Sequence, residues 1–168
     1  MSGALIVTAE IAPADFAWLD RLRRANYPLE RNQLSAHLTM FHALPPSAEG
    51  EVRRSLARLA VEAPPRASIE GVMNLGGAVA FRIVSTDLDE MRRELTANFR
   101  GLLSAQDSAG WRPHVTIQNK VSVRIARKLV DDLEREFRPK SLGIVALGLH
   151  RYLGGPWERV ETYSFRGR

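Results

Sequence analysis

The sequence predicts one domain of mixed strands and helices, whose two halves share a plan and enclose a single cleft. Three observations lead there. The order strand, helix, His-x-Thr strand, helix, strand runs once over residues 4–75 and again over residues 78–152. Short β-branched or alternating apolar runs, which suit strands, take turns with stretches whose apolar residues recur every three or four positions, which suit helices. The 168 residues, 45% hydrophobic and 26% charged, have the size and composition of one packed globular unit. Folded about a pseudo-twofold axis, such a duplication sets the two motif strands side by side where the lobes meet.

The elements follow in order. Residues 4–11 form an apolar strand. Pro13 opens a helix, because a first turn has no partner for the N–H that proline lacks; Phe16, Leu19 and Leu22 share its face until Asn26. Residues 28–33 are a polar loop. Residues 36–44 are the first motif strand, closed by Pro45 and Pro46. Ser47 is a candidate cap for a helix carrying Val52, Leu56 and Leu59, ended by Pro64 and Pro65. Strands over residues 67–75 and 78–84 meet at a Gly76-Gly77 turn. Thr86 with Asp89 resembles a capping box before Leu88, Met91, Leu95, Phe99 and Leu102. Residues 106–110 read as a loop, and residues 113–120 as the second motif strand. Ser122 caps a helix of Ile125, Leu129, Leu133 and Phe137 that stops at Pro139. Strands over residues 141–152 and 157–165, parted by Gly154-Gly155-Pro156, complete the chain.

Composition removes several chemistries. There is no cysteine, so disulfides, thiolate metal sites and cysteine nucleophiles are excluded. Residues 1–9 carry no cationic leader and read as a first strand, and no apolar run approaches the ~18 residues of a membrane helix, so a cytoplasmic protein with no membrane partner is expected. The net charge of +5 favours anionic ligands, although most arginines alternate with Asp or Glu as on solvated helix faces.

The chemistry rests on His37-Leu38-Thr39 and His114-Val115-Thr116. Alternate residues of a strand share a face, so each histidine projects with its threonine while Leu38, Met40, Val115 and Ile117 turn to the core. The paired Cα atoms lie ~6.5 to 7 Å apart, close enough for imidazole and hydroxyl to reach different oxygens of one phosphate. Cleaving a phosphodiester needs a base on one side and an acid on the other, and two imidazoles supply both near neutral pH. Two hydroxyls can then steady charge on the non-bridging oxygens. No metal or cofactor is required.

The stretches 36–42 (AHLTMFH), 112–120 (RPHVTIQNK) and 151–158 (RYLGGPWE) together resemble the 2H phosphoesterases, in their bacterial 2'-5' RNA ligase-like or cyclic phosphodiesterase branch. The resemblance spans essentially the whole chain. It implies an α+β fold of two lobes of antiparallel sheet, with outer helices around a central cleft. It also implies an enzyme opening 2',3'-cyclic phosphates of nucleotides or RNA ends, largely to 2'-phosphates, with RNA ligation as the reverse reaction. His37 would be proton donor, His114 acceptor, and Thr39 and Thr116 phosphate ligands, with the two proton roles exchanging when the direction reverses. A monomer acting on a cyclic nucleotide or an RNA cyclic phosphate end is the expected form. The alternative is a module of the same fold that binds phosphate or RNA without useful turnover.

Further contacts are weighed against structural roles. Phe41 follows Thr39 on its face and is a candidate base-stacking platform. Gln118 and Lys120 continue the His114 face, Arg112 precedes it, and Tyr152 lies in the glycine-rich terminal segment. These five are candidate substrate contacts. His42 and His150 read as structural or surface residues, and Arg151 and Trp157 as lobe packing. No spacing of His and carboxylates suggests a metal site.

Overall fold

The structure, a computed structural model, describes residues 3–168, so Met1 and Ser2, within the stretch read for a leader, lie outside it. The chain folds as strands β1 (Leu5–Ile11), β2 (Leu38–Leu44), β3 (Ala67–Asn74), β4 (Val79–Val84), β5 (His114–Gln118), β6 (Lys140–Leu142), β7 (Ile144–Tyr152) and β8 (Trp157–Ser164). The helices are α1 (Pro13–Asn26), α2 (Glu49–Leu59), α3 (Thr86–Asn98), α4 (Ala105–Ser108) and α5 (Val123–Glu136). Two antiparallel four-stranded sheets result, ordered β2-β1-β7-β8 and β5-β4-β3-β6. The α+β architecture with paired antiparallel sheets is as expected.

The strand order crosses the halves of the sequence. β3 leaves the first half to pair with β4 in the second sheet, and β7 returns from the second half to pair with β1 in the first. Each motif strand is therefore the edge of its sheet. β2 and β5 pack against each other where the sheets meet, and α1 lies against β5.

Local chemistry explains the departures from expectation. Ser47 falls inside a 3-10 turn, Pro46–Ala48, and α2 starts without a side-chain cap. Ser85, not Thr86, caps α3: its hydroxyl accepts from Leu88 N at 3.0 Å and donates to the Arg66 carbonyl at 2.6 Å. Ser104 similarly turns the expected loop at residues 106–110 into the short α4, through a bond from Asp107 N. Gly143 splits the expected strand over residues 141–152 into β6 and β7. A Cβ there would sit 2.7 Å from that of Ala12, where its carbonyl receives the Ala12 N–H and its own N–H reaches Asp15. Ser122 caps α5 as expected, but Ile125 faces solvent while Ala126, Leu129 and Val130 are buried. The core joins both lobes through residues such as Leu38, Phe41, Phe81, Phe99 and Val115.

Candidate active site

His37 immediately precedes β2 and His114 opens β5, so the packed edge strands carry both motifs to the junction. Leu38, Met40, Val115 and Ile117 are fully buried, leaving His37, Thr39, His114 and Thr116 on the less buried face of their strands. The two imidazoles are held identically. His37 Nδ1 lies 2.8 Å from the Ser35 carbonyl and His114 Nδ1 lies 2.8 Å from the Arg112 carbonyl. A carbonyl only accepts, so each Nδ1 carries a proton, and each Nε2 is left without a protein hydrogen-bond partner among the described residues.

The electrostatic setting of His37 is distinctive. Burial pushes its imidazole down to about 4, helped by the positive charge of Arg23 and by His150 and His114, against the Ser35 bond that favours the proton. The Trp157 ring packs on it at 4.7 Å between centroids and on His150 at 5.3 Å. Beneath Trp157 the Thr8 hydroxyl donates to Glu10 at 2.8 Å and so accepts from His150 Nε2 at 2.9 Å, while Arg159 pairs with Glu10. Gly148 underlies this network because a Cβ would stand within 3 Å of Thr8, Glu10 and His150 alike. Burial holds His150, too, below its ordinary value.

Residues 11–156 match the family described as the 2'-5' RNA ligase superfamily. The chain belongs to that superfamily. Among solved structures it is similar to TT0787 of Thermus thermophilus, with 18% identity and a TM-score of 0.67 over 98% of this chain and 99% of that one. It is also similar to E. coli LigT. The form complexed with NADP+ shows 13% identity and a TM-score of 0.63 over 99% of both chains. The form complexed with 3'-AMP shows 11% identity and a TM-score of 0.63 over 98% of this chain and 99% of that one. At such identities the likeness establishes the fold. No curated protein matches the sequence.

Within this superfamily fold, two expected contacts are corrected. Phe41 is 0% exposed, edge-on to Phe99 and beneath the Arg92 guanidinium, so it is no platform for a base. Gln118 is also buried, its Nε2 donating to the Asn26 carbonyl. One device moves both. The β1–β2 register runs from Thr8↔Thr39 to Val7↔Phe41, skipping Met40, and the β4–β5 register runs from Ala80↔Thr116 to Val79↔Gln118, skipping Ile117. Each strand thus bulges one residue past its threonine, and a bulge reverses the alternation that would have kept the next side chain on the motif face.

The other candidates stay near the junction. Arg112 is exposed and borders a cavity with Thr39 and His114, whereas Lys120 and Tyr152 border one with Trp157 and Arg23. His42 is structural in its contacts: its Nδ1 and backbone N–H, with that of Ala43, bind the buried Asp107 carboxylate. Among the described residues no three His, Asp or Glu side chains gather as a metal site, and no helix is long and apolar enough to cross a membrane.

Sequence reading missed the residues that fasten the edges. Arg23 Nη1 donates to the Thr116 carbonyl, and its Nε to the Leu34 carbonyl and Asn32 Oδ1, each at 2.9 Å. Arg92 Nε donates to the Met40 carbonyl and Trp111 Nε1 to that of Thr39. In the sequence both arginines look like solvated helix positions. Their only signal is placement on the apolar side of α1 and α3.

Proposed function

We propose that this chain is a metal-independent phosphoesterase that opens 2',3'-cyclic phosphates on nucleotides or RNA ends, using His37 and His114 as the acid-base pair. The observation that carries the reading is the matched tethering of both Nδ1 atoms, which gives two free Nε2 atoms on neighbouring strands. Thr39 and Thr116 donate hydroxyl hydrogen bonds to the non-bridging phosphate oxygens, where charge accumulates in the transition state. In hydrolysis the base takes a proton from water as its oxygen bonds to phosphorus. The bond to the ribose 3'-oxygen breaks, and the acid gives that oxygen a proton, leaving a 2'-phosphate.

The low proton affinity of His37 bears on the roles. In the free protein at neutral pH it is a neutral acceptor, which favours the base, the reverse of the donor role implied by family resemblance. His114 is then the acid in hydrolysis, and the roles exchange when the reaction runs as ligation. LigT structures holding 3'-AMP and NADP+ support a nucleotide or RNA end as ligand class. The test is turnover of 2',3'-cyclic nucleotides in chelator, with each histidine replaced by alanine. Losses of about 10²- to 10⁴-fold per histidine are expected. Activity that survives either change, or requires added metal, overturns the proposal, and a module that only binds shows no turnover in the parent protein.

A further inference from the structure

We infer that the cavity beside Trp157 is a second anion site, which takes a phosphate on the 5' side of the reacting sugar. The inference rests on the cyclic phosphate reading for the position of that sugar. It extends the substrate from a lone cyclic phosphate to one carrying a further charged group.

Arg23 supplies the main observation. Its side chain belongs to a residue only 3% exposed, yet all three of its hydrogen bonds go to neutral oxygens, those of Asn32, Leu34 and Thr116. A guanidinium buried so far is ordinarily matched by a carboxylate, because an uncompensated interior charge is costly. Here no ion pair to Arg23 forms among the described residues; its charge lies over the Tyr27 ring, 4.3 Å from the centroid. Burial lowers its proton affinity, while Tyr27 and Asp20 only oppose that.

Arg23 and Tyr27 border a cavity of about 600 Å³, with Arg31, Lys120, Tyr152 and Trp157 around it. Arg31 and Lys120 are exposed and take part in no ion pair among the described residues, so two more cations stand free at the rim; Glu30 is the one carboxylate there. The rim is built with unusual backbone. Lys120 has φ of 60°, a conformation that costs a non-glycine residue about 1 kcal/mol or more and persists where the surroundings impose it. Across the cavity, Gly154 has φ of 93°, and Gly155 leaves no room for a Cβ because the Gln33 amide packs on it.

The position links this cavity to the reacting phosphate. Trp157 touches His37 on one side and borders the cavity, and Arg23 grips the backbone of Thr116. The neighbouring cavity, under His37, instead holds Glu10 already paired with Arg159, so it offers an anion no unmatched charge. A backbone phosphodiester of RNA and the 5'-phosphate of a free nucleotide present the same chemistry to Arg23, Arg31 and Lys120.

The test is equilibrium binding followed by tryptophan fluorescence, using adenosine 2'-phosphate, adenosine 2',5'-bisphosphate and a dinucleotide ending in a 2'-phosphate. Each is titrated into the parent protein and into Arg31→Ala/Lys120→Ala, whose changes are on the surface. The 5'-phosphate should tighten binding about tenfold in the parent, and the double variant should erase most of that gain. A dinucleotide that binds more tightly than the bisphosphate points to an RNA strand; equal binding points to a nucleotide 5'-phosphate. Equal affinity for mono- and bisphosphate, or a gain that survives the double variant, overturns the second site. Absence of cyclic phosphate hydrolysis beside a persistent 5'-phosphate gain would defeat the catalytic reading and leave the anion site standing.

Discussion

Trp157→Ala should raise the proton affinity of His37, and the size of the change follows from the site. Burial holds the imidazole at about 4 against 6.5 in the open chain, and the indole packed at 4.7 Å is the large apolar group on that ring. A difference of 2.5 units corresponds to about 3 kcal/mol, which we take as a ceiling because the residue is only half-buried. The sign follows from proton uptake. As pH falls below 6.5 the unfolded chain gains a proton that the folded protein declines until about 4, so His37 erodes stability across that window and costs nothing above it. Exposing the ring to water in Trp157→Ala moves its midpoint upward by about 1 unit or more and flattens the loss of stability between pH 6.5 and 4. Assigned imidazole resonances followed through a pH titration read the midpoint directly. Urea unfolding at pH 7 and pH 5 reads the linkage, separating it from the pH-independent packing lost with the indole. A parent His37 that titrates near 6.5, or an unmoved midpoint in the variant, refutes this account.

Three further outcomes follow from named contacts. Asp107→Ala removes the acceptor of two backbone N–H groups and of His42 Nδ1, and should cost about 2 to 4 kcal/mol in denaturant unfolding. Burial alone would raise the Asp107 carboxyl, but those bonds outweigh it and hold it below 3.8; its contribution is present above that value and lost as pH falls through the lower folded one, which acid unfolding of Asp107→Asn beside the parent will show. Gly148→Ala places a methyl 2.6 Å from the Thr8 hydroxyl and should lower the melting temperature by several degrees, whereas alanine at Gly110, where a Cβ meets nothing within 4 Å, should not. Arg23→Met leaves the Thr116 and Leu34 carbonyls without their donor and should cost about 2 to 5 kcal/mol, measured by urea unfolding.

What the sequence made legible was whatever depends on near neighbours along the chain. The motif strands could be read, over residues 36–44 and 113–120 against the observed 38–44 and 114–118, because apolar residues flank the motifs at alternate positions, and the cap at Ser122 lies three residues from the N–H it accepts. The fold class and the meeting of the motif strands followed from the repeated order of elements. Phe41 and Gln118 were misplaced because the bulges at Met40 and Ile117 are set by pairing with β1 and β4, a long-range register that alternation within one strand does not encode. Arg23 was invisible for the same reason: its partner at Thr116 is 93 positions away. Ser85 displaced Thr86 as cap because its hydroxyl also bonds Arg66, 19 residues earlier.

The placement of both motifs on edge strands has a consequence for the geometry of the pair. An edge strand leaves its outer carbonyls unpaired, which invites pairing with another chain unless they are covered. Here the cover comes from the opposite half of the sequence. Arg23 of α1 takes the Thr116 carbonyl on β5, while Arg92 of α3 and Trp111 take the Met40 and Thr39 carbonyls on β2. The buried Arg23 and the half-buried Arg92 must keep their acceptors, and each bulged strand must keep its donors, so sliding or parting the lobes would leave polar groups unpaired on both sides. The bonds that complete the two sheet edges are therefore the bonds that fix the separation of the histidines. The two imidazoles are thus held at a spacing set by the fold itself.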